Sequence, residues 1–210
     1  MHILQSVTAG VALIGTALAA PSAAAAKYCD AAGVCFSESV AGGVTFRAAI
    51  PNVSAAPFDI ILQIVAPKAT GWAGIAWGGA MANNPLTLGW ANGNSTVVSS
   101  RWATGHVLPG AYAGATYTTL SGSSVNATHW TLTTLCTGCS QWTASGTAKK
   151  LDPSAAATVA YGLATTPPTE PSNNASRIAV HTAKGKFTLD LAAAKTEKFD
   201  SYVQTLKGKA

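Results

Sequence analysis

The chain has 210 residues, 13 Lys and Arg against 8 Asp and Glu, and a net charge of +5, with 10% of its residues charged. That is one domain's worth of chain, and 48% hydrophobic residues with 20 Gly and 10 Pro exclude a disordered chain, a long coiled coil and an acidic tail. The positive charge is scattered, with no Arg-rich run, which argues against nucleic acid as a partner.

Residues 1–26 contain no acid, Lys or Arg, and carry an apolar run from Val7 to Ala20. Ala17-Leu18-Ala19 fits the small-x-small cleavage rule, so the segment reads as a secretory signal cut near Ala19 or later. The run is shorter than the roughly 20 residues that span a bilayer and ends in Pro21, so no membrane anchor is expected. Export agrees with Asn-x-Ser/Thr sequons at Asn52, Asn94, Asn126 and Asn174, candidate glycan sites in a eukaryotic host. It agrees also with cysteine usage: Cys29 and Cys35 form one close pair and Cys136 and Cys139 another, read as two local disulfides. A zinc site would need more ligands than one CxxC supplies.

Short alternating segments punctuated by Gly, Pro, Asn and Ser predict antiparallel strands. They fall at Val44–Ile50, Asp59–Val65, Gly71–Trp77, Leu86–Trp90 and Ser95–Ala103, the last two joined by a hairpin turn at Asn92-Gly93. More follow at Ala115–Leu120, Thr128–Leu135, Thr158–Leu163, Ser176–His181 and Lys186–Leu191. About ten strands in one domain over residues 27–205 imply an all-β, immunoglobulin-like sandwich. Ala192–Leu206 reads as a short C-terminal helix docked on it, residues 206–210 as a tail, and Thr165–Asn174 as a long Pro-rich loop.

Catalytic signatures are missing. There is no GxSxG, HExxH or GxGxxG. The acids beside turns, caps or lysines offer no evident glycosidase pair, and cleavage near Ala19 or Ala26 leaves no N-terminal His for a copper oxidase. The metal-ligand inventory is small: after cleavage Met81 is the single Met, and the histidines are His106, His129 and His181. Met81 lies in Trp77-Gly78-Gly79-Ala80-Met81-Ala82-Asn83-Asn84, where glycines let the backbone approach a flat ligand, although an isolated Met more often fills a core gap.

Several long segments together resemble one family. GWAGIAWGGAM (Gly71–Met81), WANGNSTVVSSRWATGH (Trp90–His106), NATHWTL (Asn126–Leu132), CTGCSQW (Cys136–Trp142) and HTAKGKFTLDL (His181–Leu191) are similar to the haem b cytochrome domain of cellobiose dehydrogenase. The resemblance covers residues 27–205 and extends to DOMON-like iron reductase domains, an antiparallel β-sandwich that holds haem. It implies non-covalent haem b with axial Met81 and His181. Such a pair fills both axial positions, and the soft thioether favours Fe(II) and raises the potential. The second ring nitrogen of His181 is expected to donate to a carbonyl or carboxylate. Arg101 and His106 are expected near the haem propionates, His106 at a position where the family commonly has Tyr. An imidazole there would make the potential pH-dependent. His129, beside a sequon, reads as an outward structural residue.

No flavin-binding fingerprint accompanies the cytochrome pattern, so electrons are expected from a separate flavin dehydrogenase or a hydroquinone. Acceptors implied by the resemblance are a copper polysaccharide monooxygenase, a quinone or a ferric complex. The reading is a secreted, monomeric electron-transfer protein, whose status as an enzyme is a matter of definition. The alternative is a haem-free DOMON-type module that holds a carbohydrate or other small ligand.

Overall fold

The computed structural model describes residues 26–208; residues 1–25, which are the expected signal segment except for Ala26, and residues 209–210 lie outside them. The first strands are β1 (Ala26–Cys29), β2 (Cys35–Ala41), β3 (Val44–Pro51), β4 (Ile60–Pro67), β5 (Trp72–Ala76), β6 (Leu86–Asn92), β7 (Ser95–Trp102) and β8 (Gly110–Ala111). After them come β9 (Thr116–Thr119), β10 (Ser124–Val125), β11 (His129–Thr137), β12 (Gln141–Ala144), β13 (Thr147–Lys150), β14 (Ala156–Ala164) and β15 (Ala183–Asp190). The chain closes with α1 (Leu191–Ala194), β16 (Lys195–Thr196) and α2 (Phe199–Lys207).

Two sheets face each other in an antiparallel β-sandwich. The first runs β1-β2-β3-β4-β11-β10, with β9 also on β11 and β16 parallel to β3; the second runs β15-β14-β5-β6-β7-β8. β12 and β13 form a separate hairpin. The core between the sheets takes Phe46, Ile60, Leu62, Ile64, Trp130 and Leu132 from the first and Ala73, Ile75 and Val159 from the second. Phe46 stacks on Phe187 across that gap, 4.8 Å between centroids. Burial of these aliphatic and aromatic side chains, each worth about 1.5–3 kcal/mol, holds the layers together.

The predicted hairpin forms at the β6–β7 turn, where Gly93 takes φ +62°, a conformation that suits glycine. Both disulfides form, Cys29–Cys35 and Cys136–Cys139. On the far side of the first sheet, Phe199, Tyr202, Val203 and Leu206 of α2 cover Phe36, Ala49, Ile61 and Leu135.

Three expectations are corrected. Ser176–His181 pairs with no strand: it belongs to a loop whose carbonyls are taken by side chains. The expected single helix over Ala192–Leu206 is interrupted, because Lys195–Thr196 extends to pair beside Ile50–Pro51. Helix α2 then continues through Lys207, into the expected tail. Among the described residues no helix is long and apolar enough to cross a membrane.

Candidate functional site

Because side chains alternate along a strand, the outer face of the second sheet is set by register. One row across it is Lys186, Ala160, Ala76, Leu86 and Arg101; the next is Lys184, Gly162, Gly74, Leu88 and Ser99; the third begins Ala164, Trp72, Trp90 and Val97. Most of this face is apolar, with small residues at Ala76, Ala160, Gly74 and Gly162. Its open edge on β15 carries exposed Lys184 and Lys186.

Two loops reach over this face. The first, residues 77–85, carries Met81 from β5 to β6. Trp77 N–H bonded to Pro85 O closes it, Asn83 N–H donates to Ala103 O at 2.7 Å, and Asn84 Nδ2 donates to the carbonyls of Ala80 and Ala82. The half-buried Met81 packs on Ala76, Leu86 and Ala103. Its base is tied from the core side, where Trp77 Nε1 donates to Thr87 Oγ1 at 2.8 Å and Thr87 shares a 2.6 Å hydrogen bond with Tyr117 Oη. Burial pushes the Tyr117 phenol up to about 12, against the opposing pull of its bonds to Thr87 and Trp77.

The second loop, residues 165–182, carries His181. Loop carbonyls have no ladder partners, and side chains of the sheet supply the donors. Trp72 Nε1 donates to Ala179 O at 3.2 Å and Trp90 Nε1 to Pro171 O at 2.7 Å. Thr182 N–H then donates to Leu163 O at 2.8 Å. His181 is thereby fixed over Gly162: a Cβ on that glycine would stand 3.7 Å from His181 Cβ and 3.5 Å from the Trp72 ring, ordinary contact distances. Met81 and His181 thus stand over neighbouring rows of one apolar face.

Neither ring nitrogen of the half-buried His181 is hydrogen-bonded to a described residue, nor is the Met81 sulfur; the expected carbonyl or carboxylate partner of His181 is not among them. Both Lewis bases are therefore unspent. A borderline imidazole and a soft thioether over small apolar residues form a donor set suited to haem iron.

Arg101 is 3% exposed. Its Nε donates to Ser99 Oγ, Nη1 to Pro109 O, and Nη2 to the carbonyls of Asn174 and Ser176. A guanidinium has five N–H donors, so one Nη1 proton stays free, and the main work of Arg101 is to tie the His181 loop and the connection after β7 to the sheet. Burial pulls its pKa down from the usual range. His106 is exposed in the connection after β7, beside Val107 and Leu108, also exposed. His129 is exposed and pairs with Thr128 Oγ1. Asn52, Asn94, Asn126 and Asn174 are all exposed. Cys136 and Cys139, joined to each other, offer no thiolate to a metal.

Reading by motif missed Asn84, whose Asn-Asn-Pro context reads as a turn. It missed the small-residue floor too, although Gly74-x-Ala76 and Ala160-x-Gly162 carry its period-two signature.

The family described as the cytochrome domain of cellobiose dehydrogenase matches residues 28–201. The cytochrome b domain of pyranose dehydrogenase from Coprinopsis cinerea superposes with a TM-score of 0.80 at 29% identity, over 87% of this chain and 96% of that one. The cytochrome domain of Myriococcum thermophilum cellobiose dehydrogenase has the same fold, with a TM-score of 0.80 at 23% identity over 89% and 98% of the two chains. A pyrroloquinoline quinone-dependent pyranose dehydrogenase of Coprinopsis cinerea is 41% identical over 46 residues, a match spanning 22% of this chain and 6% of that enzyme. Fold, register and matched length agree: the chain belongs to the family of cellobiose dehydrogenase cytochrome domains.

Proposed function

We propose that this chain is a secreted electron-transfer protein that binds haem b non-covalently through Met81 and His181. The observation that carries the reading is the convergence, on one apolar face, of two unspent Lewis bases from separate loops. Haem b, when bound, supplies one-electron exchange between Fe(III) and Fe(II). The protein's part would be to hold it through the imidazole of His181 and the thioether of Met81, donors that favour electron exchange. Trp72, Leu88 and Trp90, all buried, keep water from one end of the face. The free Nη1 proton of Arg101, together with His106, serves the propionates.

The exposed sequons and the two disulfides support passage through an oxidising secretory route. Residues 1–26 act as the signal, residues 27–205 as a monomeric cytochrome domain, and glycans attach at Asn52, Asn94, Asn126 and Asn174. Relatives named as cellobiose and pyranose dehydrogenases support a sugar-oxidising flavin or quinone enzyme as donor, with a hydroquinone as the small-molecule equivalent. A copper polysaccharide monooxygenase, a quinone or a ferric complex takes the electron.

The test is the visible spectrum of secreted protein, oxidised and dithionite-reduced, beside Met81→Ala and His181→Ala. A sharp low-spin reduced band abolished by either substitution is expected. Protein secreted without haem under ample haem supply would overturn the reading in favour of a carbohydrate or small-ligand module on the same face.

A further inference from the structure

A methionine side chain has three rotatable bonds and adapts to its surroundings, so the height of its sulfur over the sheet depends on how its backbone is held. Asn84, 2% exposed, holds it. Its Nδ2 donates to Ala80 O and to Ala82 O, both at 2.9 Å, the carbonyls on either side of Met81. A primary amide has two N–H donors, and both are spent bracketing one residue. The opposite amide orientation would aim Oδ1 at two carbonyl oxygens, which fixes the assignment.

We infer that Asn84 is a positioning residue for Met81, a side-chain clamp on the backbone at both flanks of the thioether that sets the sulfur's reach toward iron. This rests on the reading of Met81 as an axial ligand. The clamp has a visible cost: Asn84 Oδ1 is buried and accepts no hydrogen bond, which opposes folding. An apolar side chain would avoid that cost but would lose both bonds to the loop. Gly78 makes room for the amide, because a Cβ there would collide with Asn84 Oδ1 and press on Trp142. On the same cleft, Trp142 Nε1 is likewise buried and unpartnered. The amide is therefore held from behind by shape and in front by its two bonds.

Asn84→Asp keeps the shape and removes both donors. Carbon monoxide reaches ferrous iron only when the sulfur has left, so its binding rate reports the open fraction. We expect Asn84→Asp to bind carbon monoxide at least about tenfold faster than the parent, in proportion to that fraction. The Met81 methyl resonance, moved upfield by the haem ring current in the parent, should broaden or move back. Gly78→Ala, which dislodges the same amide from behind, is expected to do likewise and serves if the aspartate variant does not fold; thermal unfolding of the haem-free proteins checks folding. Parent-like exclusion of carbon monoxide and an unmoved methyl resonance in a folded variant would overturn the clamp, provided Met81→Ala opens the iron. If Met81→Ala itself leaves carbon monoxide excluded, the ligand assignment fails and the clamp fails with it.

Discussion

Tyr117→Phe tests the polar tie beneath the Met81 loop. Trp77 opens that loop and donates to Thr87, which follows it, and Thr87 Oγ1 in turn shares a 2.6 Å hydrogen bond with the Tyr117 hydroxyl. At neutral pH, loss of this buried bond costs about 1–2 kcal/mol, since Thr87 keeps its bond from Trp77 but loses its other partner. The alkaline limb runs the other way. An unfolded tyrosine ionises near 10, whereas burial holds Tyr117 at about 12. Between those values the unfolded chain has released a proton that the folded chain still holds, so rising pH favours unfolding. The native advantage is whole below pH 10 and lost progressively up to pH 12, about 3 kcal/mol in all and about 1.4 kcal/mol by pH 11. Phenylalanine has no proton to release. The variant's deficit should therefore shrink from about 1–2 kcal/mol at pH 7 to near zero at pH 11. Urea unfolding followed by tryptophan fluorescence at pH 7, 9, 10 and 11 measures the difference, and the other tyrosines cancel between the two proteins. A deficit that stays constant from pH 7 to 11 would refute the argument.

Arg101→Met should destabilise the haem-free protein by about 3–4 kcal/mol, because the buried carbonyls of Pro109 and Ser176 lose their donor and Asn174 O is left with Ser99 Oγ alone; denaturant midpoints check this, and a loss seen only with haem bound would contradict the structural role. Gly162→Ala should fold normally in the space beside Trp72 and His181, whereas Gly162→Phe should weaken haem uptake by about tenfold or more, equivalent to 1.4 kcal/mol, with an unchanged haem-free unfolding midpoint; haem titration separates the two. Paired Lys184→Glu and Lys186→Glu should remove the salt-sensitive part of ferrous-protein oxidation by ferricyanide, an anion. Stopped-flow rates across ionic strength test this, and unchanged salt dependence would place the electron exit elsewhere.

The strands that were legible are those whose burial alternates or whose turns are marked. β3 alternates over Val44–Ala48 and β11 over His129–Leu132, before α2 buries the far face at Ala49 and Leu135. β5, expected among the alternating segments at Gly71–Trp77, is buried on both faces. β1 and β13, and with them their hairpins, escaped because each is 4 residues long and largely exposed. Cys29 stands directly opposite Cys35 in register, so the disulfide inferred from spacing already implied the first hairpin. Ser176–His181 misled for the opposite reason: Ile178 and Val180 alternate like strand residues, yet the segment's hydrogen bonds go to tryptophan and arginine side chains that no local pattern reveals. Met81 and His181 lie far apart in sequence with no spacing rule between them. Only resemblance joined them before the fold placed β14 and β5 under both.

The fold holds two loop-borne side chains, Met81 and His181, still. Were they to hold haem as proposed, electron exchange with little reorganisation would require that neither move. Loops alone do not secure that, since they lack backbone partners and are the more mobile parts of a protein. Here the otherwise apolar outer face contributes Trp72, Trp90 and Arg101 as donors to the carbonyls of the His181 loop. The Met81 loop closes on itself through Asn84 and on the neighbouring connection through Asn83. Trp72, Trp90 and the two terminal nitrogens of Arg101 donate to loop backbone rather than to Met81 or His181, so the face gains rigidity without using up those two side chains. The exposed cations, Lys184 and Lys186, stay at the rim. There they act on an approaching partner through solvent, where screening makes their effect adjustable by salt.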